Sequence, residues 1–349
     1  IMKTINTLHP LRWILLIMTV AACSATEKDS RQQVLSSWGE TVILEGYQSF
    51  ADDAAALHTA AKAFCAAQDE SSLEAVRLAW DKTRSSWKLM EVFAFGPYAA
   101  YPERLGPNID FWPARADRIE EVLAGEDDLT TESMPPRGAT QRGLPVIEYL
   151  LYAEHDASLG AFSTHPRRCD YLVAASDDLS HMASAMFAAW DPAQEGYLEE
   201  LTQPNADSMY MDSQEAMSEI VNRMAFTIEN IRRDKLGKPL GDTETGIAHP
   251  ESVESFYSGR SLQDTRDALA TVGVLFSGIE EKGTRGLVSL PRLKERQDLI
   301  DAFEEQFEKA KTELDAIEDP LSLAVQEQPA LVERAIETLR NLQTLIHAD

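Results

Sequence analysis

Apolar residues recur every three or four positions along nearly the whole chain, and alternating β-branched runs bounded by turn residues are almost missing. That period buries one face of a helix and cannot be satisfied by a half-buried strand, so an all-α fold is expected. Thr41–Gln68 is alanine-rich with this spacing, and Ser72–Phe95 continues it up to Gly96-Pro97. Ala114–Leu123, the run from Pro145 and Arg167–Ala189 follow, the last stopped by Asp191-Pro192. Ser213–Leu236, Ser261–Ile279, Leu290–Ile317 and Pro329–Ala348 supply the later helices. Two antiparallel helix bundles are therefore expected, 31–195 and 196–349, joined near Asp191–Asn205 and packed side by side. Glu126–Gln141 and Gly241–Gly259 read as loops, the second too long for an ordinary bundle turn.

The start of the chain has another logic. Lys3 and Arg12 precede Trp13–Ala22, an apolar run of about ten residues that is too short to span a bilayer and fits a signal-peptide core. Val20-Ala21-Ala22-Cys23 has the form of a bacterial lipobox, so 1–22 reads as a leader, Cys23 as the lipidated residue and 23–30 as a linker. Ser24, with no Asp behind the cysteine, points to the outer membrane and a periplasmic location. Loss of the leader would leave 30 basic against 58 acidic residues. So negative a surface argues against nucleic-acid partners and anionic headgroups; it is compatible with attracting cations, and a solvated acidic face or salt adaptation gives the same composition. Cys65 and Cys169 remain, and in an exported protein they invite a disulfide.

Two carboxylates sit in apolar helical runs: Glu148 within Pro145–Tyr152 and Glu91 within Trp87–Phe95. A buried carboxylate without a partner costs several kcal/mol or shifts its pKa, so each must be paired, hydrogen-bonded or metal-bound. Arg84 and Arg142 are the nearby arginines that could pair with them. Trp80, Arg84, Trp87 and Glu91 step by four, three and four and share one helix face. Asn108–Pro113 is an aromatic loop whose Asp110 reads as a helix cap or a ligand to the site. In the long loop, Glu251, Ser252, Ser255 and Ser258 place hydroxyls and a carboxylate at three-residue steps, with His249 and Glu254 beside them. Ser261 reads as the N-cap of the next helix. His9, His58, His155, His165, His181 and His347 are scattered without ligand spacing.

Trp80, Arg84, Glu91-Val92-Phe93, Phe95-Gly96-Pro97, Ile109-Asp110, Trp112-Pro113 and Gly143 with Glu148-Tyr149-Leu150-Leu151 resemble, in this order, the imelysin family of exported bacterial proteins, also classed as peptidase M75-like. The resemblance implies two helical bundles with a site between them and a link to iron uptake, with iron-uptake components as partners. It also implies a Gly-x-His-x-x-Glu motif whose His and Glu hold a metal. Here the motif reads Gly143-Leu144-Pro145-Val146-Ile147-Glu148, and proline offers no metal donor. No HExxH replaces it. The expected function is therefore binding of a small ligand, iron or another divalent cation at the interdomain cleft. Arg84, Glu91, Asp110, Glu148, Glu251, Ser252, Ser255 and Ser258 would line it, with Glu91 and Glu148 as metal ligands. A divergent metallopeptidase with substituted ligands and a non-catalytic interaction lipoprotein are the alternatives.

Overall fold

The computed structural model describes residues 28–154, 158–194, 196–242 and 246–346. The leader, Cys23, His9, His155 and His347 lie outside the described residues. The fold is all-α. The helices that frame the site are α1 (Glu45–Ala67), α2 (Glu70–Leu89), α3 (Leu144–Tyr152), α4 (Arg167–Trp190), α5 (Ser213–Asn230), α6 (Ser261–Ser277), α7 (Gln297–Asp315) and α8 (Pro329–Ile346). In the first half of the chain, α1 packs against both α2 and α4. In the second half, α8 packs against α5 and α7. Helix α6 lies against α2 and brings the two groups together. No described helix is long and apolar enough to cross a membrane.

Local chemistry sets the boundaries. Gln68 takes the left-handed conformation, ending α1. Asp69 then caps α2, its carboxylate accepting from the Ser72 amide at 2.8 Å while Ser72 Oγ accepts from the Asp69 amide, a reciprocal box that satisfies otherwise unpaired helix donors. Helix α2 ends at Leu89, sooner than the apolar period suggests, and Glu91–Phe93 tightens to a 3₁₀ turn. That turn buries Val92 and Phe93 fully. Helix α3 starts with Pro145 in its first turn, where the missing amide costs nothing. Gly143 precedes it at φ 81°, and a Cβ there would lie 2.3 Å from the carbonyl oxygen of Ile109. The glycine thus lets the Glu148 helix press against the Asp110 segment.

Three expectations need correction. The helix expected to run to Leu236 turns π-helical over Ile231–Gly237, and the wider turns bring Lys235 into the interior. Leu290–Ile317 is broken: Pro291–Lys294 forms a separate turn before α7. Gly278, at φ 85°, stops α6 and opens a minimal antiparallel pair, Gly278–Ile279 with Thr284–Arg285. Cys65 and Cys169 form a disulfide that ties α1 to α4.

Candidate functional site

Arg84 on α2 is the centre of a buried charge network at the contact between the two halves. Its side chain is 2 % exposed. Nη1 donates to Asp110 at 2.7 Å, Nε donates to Asp264 at 2.9 Å, and Nη2 lies 3.1 Å from Glu254. One turn along α2, Lys88 reaches Glu91 at 2.8 Å, Asp110 at 3.2 Å and Glu254 at 2.6 Å. From the π-helical turn, Lys235 meets Glu91 at 2.5 Å and Glu254 at 3.1 Å. Arg260 closes the far side on Asp264 and Asp267. Neutral donors finish the set: Trp87 Nε1 donates to Asp110, Asn230 Nδ2 to Glu91, and Ser255 Oγ to Asp264.

Desolvating an ion costs several kcal/mol, so such a group persists only where opposite charges and hydrogen bonds compensate. Burial alone would push the Glu91 carboxyl up, but Lys235 and Lys88 overcome it and hold it at about 2. Asp110 is likewise drawn down against burial by Arg84 and Lys88, and Glu254 by Lys235, Lys88 and Arg84. Burial prevails at Asp264, which is raised although Arg84 opposes the rise. Arg84 and Lys88 are held well above their ordinary values because their carboxylate partners outweigh burial.

Glu148 is solved differently. It is 3 % exposed and accepts from Ser258 twice, from the amide at 2.9 Å and from Oγ at 2.9 Å. Among the described residues no cation stands within ion-pair distance of it. Burial pushes its carboxyl up to about 7, and the Ser258 donors and Arg84 only soften the rise. Arg142, the other arginine expected to pair with an isolated carboxylate, forms a two-point pair with Asp178 instead.

Two cavities open on this network. A small one of about 40 Å³ is lined by Arg84, Asp110, Pro145, Glu148, Glu251 and Ser255. Pro145 thus presents a saturated ring where the family motif has an imidazole. The larger chamber, about 320 Å³, has Glu91, Asp110 and Glu254 in its lining with Trp87, Tyr98 and Trp112. Wider surface troughs of about 690 and 710 Å³ lie elsewhere, away from Glu91, Glu148 and Glu254.

Arg84, Glu91, Asp110, Glu148, Ser255 and Ser258 all meet at this contact. Asp110 does not cap a following helix; it ends Leu105–Ile109 and turns its carboxylate to Arg84, Trp87 and Lys88. Glu251 is 69 % exposed and faces His249 at 3.3 Å, on the rim of the small cavity. Ser252 Oγ donates to the His249 carbonyl, a turn bond. The buried carboxylate of that loop is Glu254, three residues on. Ser261 does not act as the cap of α6, since its hydroxyl donates to the Glu254 carbonyl. Glu91 and Glu148, the expected metal pair, are occupied by different partners, two ammonium groups and Ser258. Among the described residues no group of three or more His, Cys, Asp or Glu side chains is arranged to hold a metal ion.

Glu254 is named with the loop in the sequence but not placed in the lining, and Lys88, Lys235, Asp264 and Arg260 are not singled out there. For Lys88 a signal existed: Arg84, Lys88 and Glu91 are spaced by four and three, a charged stripe on the face that carries Trp80 and Trp87.

Comparison with known proteins agrees with the fold. The chain is 27 % identical over 309 residues to iron-regulated protein A of Synechococcus elongatus, covering 86 % of this chain and 80 % of that protein. A crystal structure from Parabacteroides distasonis, provisionally described as an iron-regulated protein A precursor, superposes with a TM-score of 0.77 at 20 % identity, over 92 % of this chain and 94 % of that one. An imelysin-like protein from Psychrobacter arcticum superposes at 0.73 and 17 % identity, again over 92 % and 94 %. The imelysin (peptidase M75) family model matches residues 43–346. With the match running from α1 to the end of α8, the chain belongs to the imelysin family.

Proposed function

We propose that this is an exported imelysin-family lipoprotein, anchored through Cys23 to the outer membrane and facing the periplasm, that binds a small ligand between residues 31–195 and 196–349 in the service of iron uptake. The observation that carries the binding role is the Arg84–Lys88–Lys235 network. It joins carboxylates from both halves of the chain and opens into a chamber of about 320 Å³. The iron connection rests on the relatives named as iron-regulated proteins. A metallopeptidase needs three ligands and an open position on one metal; Pro145 supplies none, which favours binding over hydrolysis.

Direct coordination of iron or another divalent cation is the second reading. Glu148 favours it, being a buried carboxyl held by neutral donors beside a small cavity. Iron uptake under iron limitation, measured in cells carrying wild type, Glu91→Gln or Glu148→Ala, tests the role. Uptake unchanged in both variants would overturn it. Calorimetry of the chain from Ser24 to Asp349 with ferrous, ferric and zinc ions separates the readings: metal binding lost in Glu148→Ala supports coordination. Uptake lost in Glu91→Gln without metal binding by the wild type supports an organic ligand.

A further inference from the structure

The chamber beside α2 has a donor and acceptor balance that selects its occupant. Of its two cationic lining residues, Lys88 is fully engaged and Arg223 is engaged in part. Lys88 has three ammonium hydrogens and three carboxylate partners, Glu91, Asp110 and Glu254. Arg223 donates from Nε to Glu219 and from Nη1 to the Ala94 carbonyl, with its guanidinium 5.5 Å from the Phe95 ring centre. The carboxylates retain capacity, since each can accept about four hydrogen bonds. Glu91 takes three, from Lys88, Lys235 and Asn230. Glu254, 4 % exposed, has an Oε2 that takes no hydrogen bond among the described residues, with the Lys235 ammonium 3.1 Å away. Around Lys88 the chamber therefore keeps acceptor capacity on Glu91 and Glu254 and no free ammonium hydrogen.

The walls are aromatic. Trp87 and Tyr98 stack at 6.0 Å between centroids, and Trp112 and Phe226 also line the chamber. Trp112 already holds a cation over its ring, Lys238 Nζ at 5.7 Å. Aromatic faces attract cations, and the chain's net charge of −26 raises their local concentration. At about 320 Å³ the space sits at the small end of ligand sites, which run from about 300 Å³.

We propose that this chamber binds an organic cation bearing N–H donors, a primary ammonium or a guanidinium on a short apolar body. The charged head meets Glu91 and Glu254, and the body lies among Trp87, Trp112 and Phe226. An inorganic ion would leave the aromatic walls Trp87, Trp112 and Phe226 without a partner. The inference rests on the reading of this contact as a ligand site and names the ligand class.

Calorimetry with phenethylamine and agmatine tests it, with phenylethanol, phenylacetate and a phenethyl trimethylammonium salt as neutral, anionic and donor-free controls. The amines should bind and the neutral and anionic controls should not. The trimethylammonium salt should bind more weakly than phenethylamine. Phe226 is 56 % exposed, so Phe226→Ala should fold normally and weaken amine binding about threefold. Binding of phenylacetate as tight as that of the amines, equal binding of the donor-free salt, amine binding indifferent to Phe226→Ala, or no binding by any probe would overturn the assignment. That last result together with iron uptake lost in Glu91→Gln would leave the iron role standing. Amine binding with uptake unaffected would do the reverse.

Discussion

Glu91 and Glu148 look alike in sequence, each a lone carboxylate in an apolar run, and the folded protein treats them oppositely. Glu91 is enclosed by Lys88 and Lys235 and stays ionised down to about pH 2. Glu148 meets the amide and hydroxyl of Ser258, and burial carries its carboxyl to about 7. The difference comes from the second half of the chain. A π-helical turn delivers a lysine to one carboxylate, and a loop delivers a serine to the other. A sequence can announce that a polar site is being built without announcing its charge state, because the partner arrives from a distant segment.

The largest break should come at Arg84. Arg84→Met leaves Asp110, Glu254 and Asp264 without their shared cation, and losing one partner of a buried network costs about 3–5 kcal/mol. Urea unfolding at neutral pH measures it, and a loss below about 1 kcal/mol, the level of an exposed pair, would mean the network is solvated. The two carboxylates should then give effects of similar size and opposite sign. Lys235 and Lys88 hold Glu91 well below its ordinary value, down to about 2, so its ionised form stabilises the fold. That contribution is present above about pH 4.5 and lost as the pH falls through about 2. Glu91→Gln should therefore destabilise strongly at pH 7 and little at pH 2, as read from denaturant midpoints.

Glu148 has the reverse linkage. Its folded value lies above the unfolded one, so the native state is favoured below about pH 4.5, and that advantage is lost as the pH rises through about 7. Glu148→Gln should gain on the wild type between pH 5 and 8, by up to about 3 kcal/mol. A parallel pH dependence of the two proteins would sink the comparison. The smallest effect is expected from Ser258→Ala, which removes one of two donors to Glu148 and costs about 1 kcal/mol at pH 8. Carboxyl NMR should also find the Glu148 titration moved further up in this variant.

Much of this was legible beforehand, for physical reasons. Helical period needs only local spacing, so the all-α fold and the α1, α4 and α8 segments could be read directly. Arg84, Glu91 and Asp110 stood out as charges within aromatic surroundings, and Glu148 as a charge within an apolar run. Lys235 did not, because Ile231-Arg232-Arg233-Asp234-Lys235 reads as a solvated helix end, and only the π turn carries it inside. Glu251 rather than Glu254 is expected in the lining, because spacing within a loop does not tell which side faces the protein. Asp264 carries no local signal; its pairing with Arg84 spans 180 residues, beyond any local pattern.

The bond between Cys65 and Cys169 acquires a further meaning once the site is in view. The loop it closes contains Arg84, Lys88, Glu91, Asp110 and Glu148, together with Trp87 and Trp112. Every contribution of the first half to the network thus hangs from one covalent ring. The second half, which brings Lys235, Glu254, Ser258 and Asp264, has no such ring and must find its place by packing alone. The site is a closed frame on one side and a docked insert on the other.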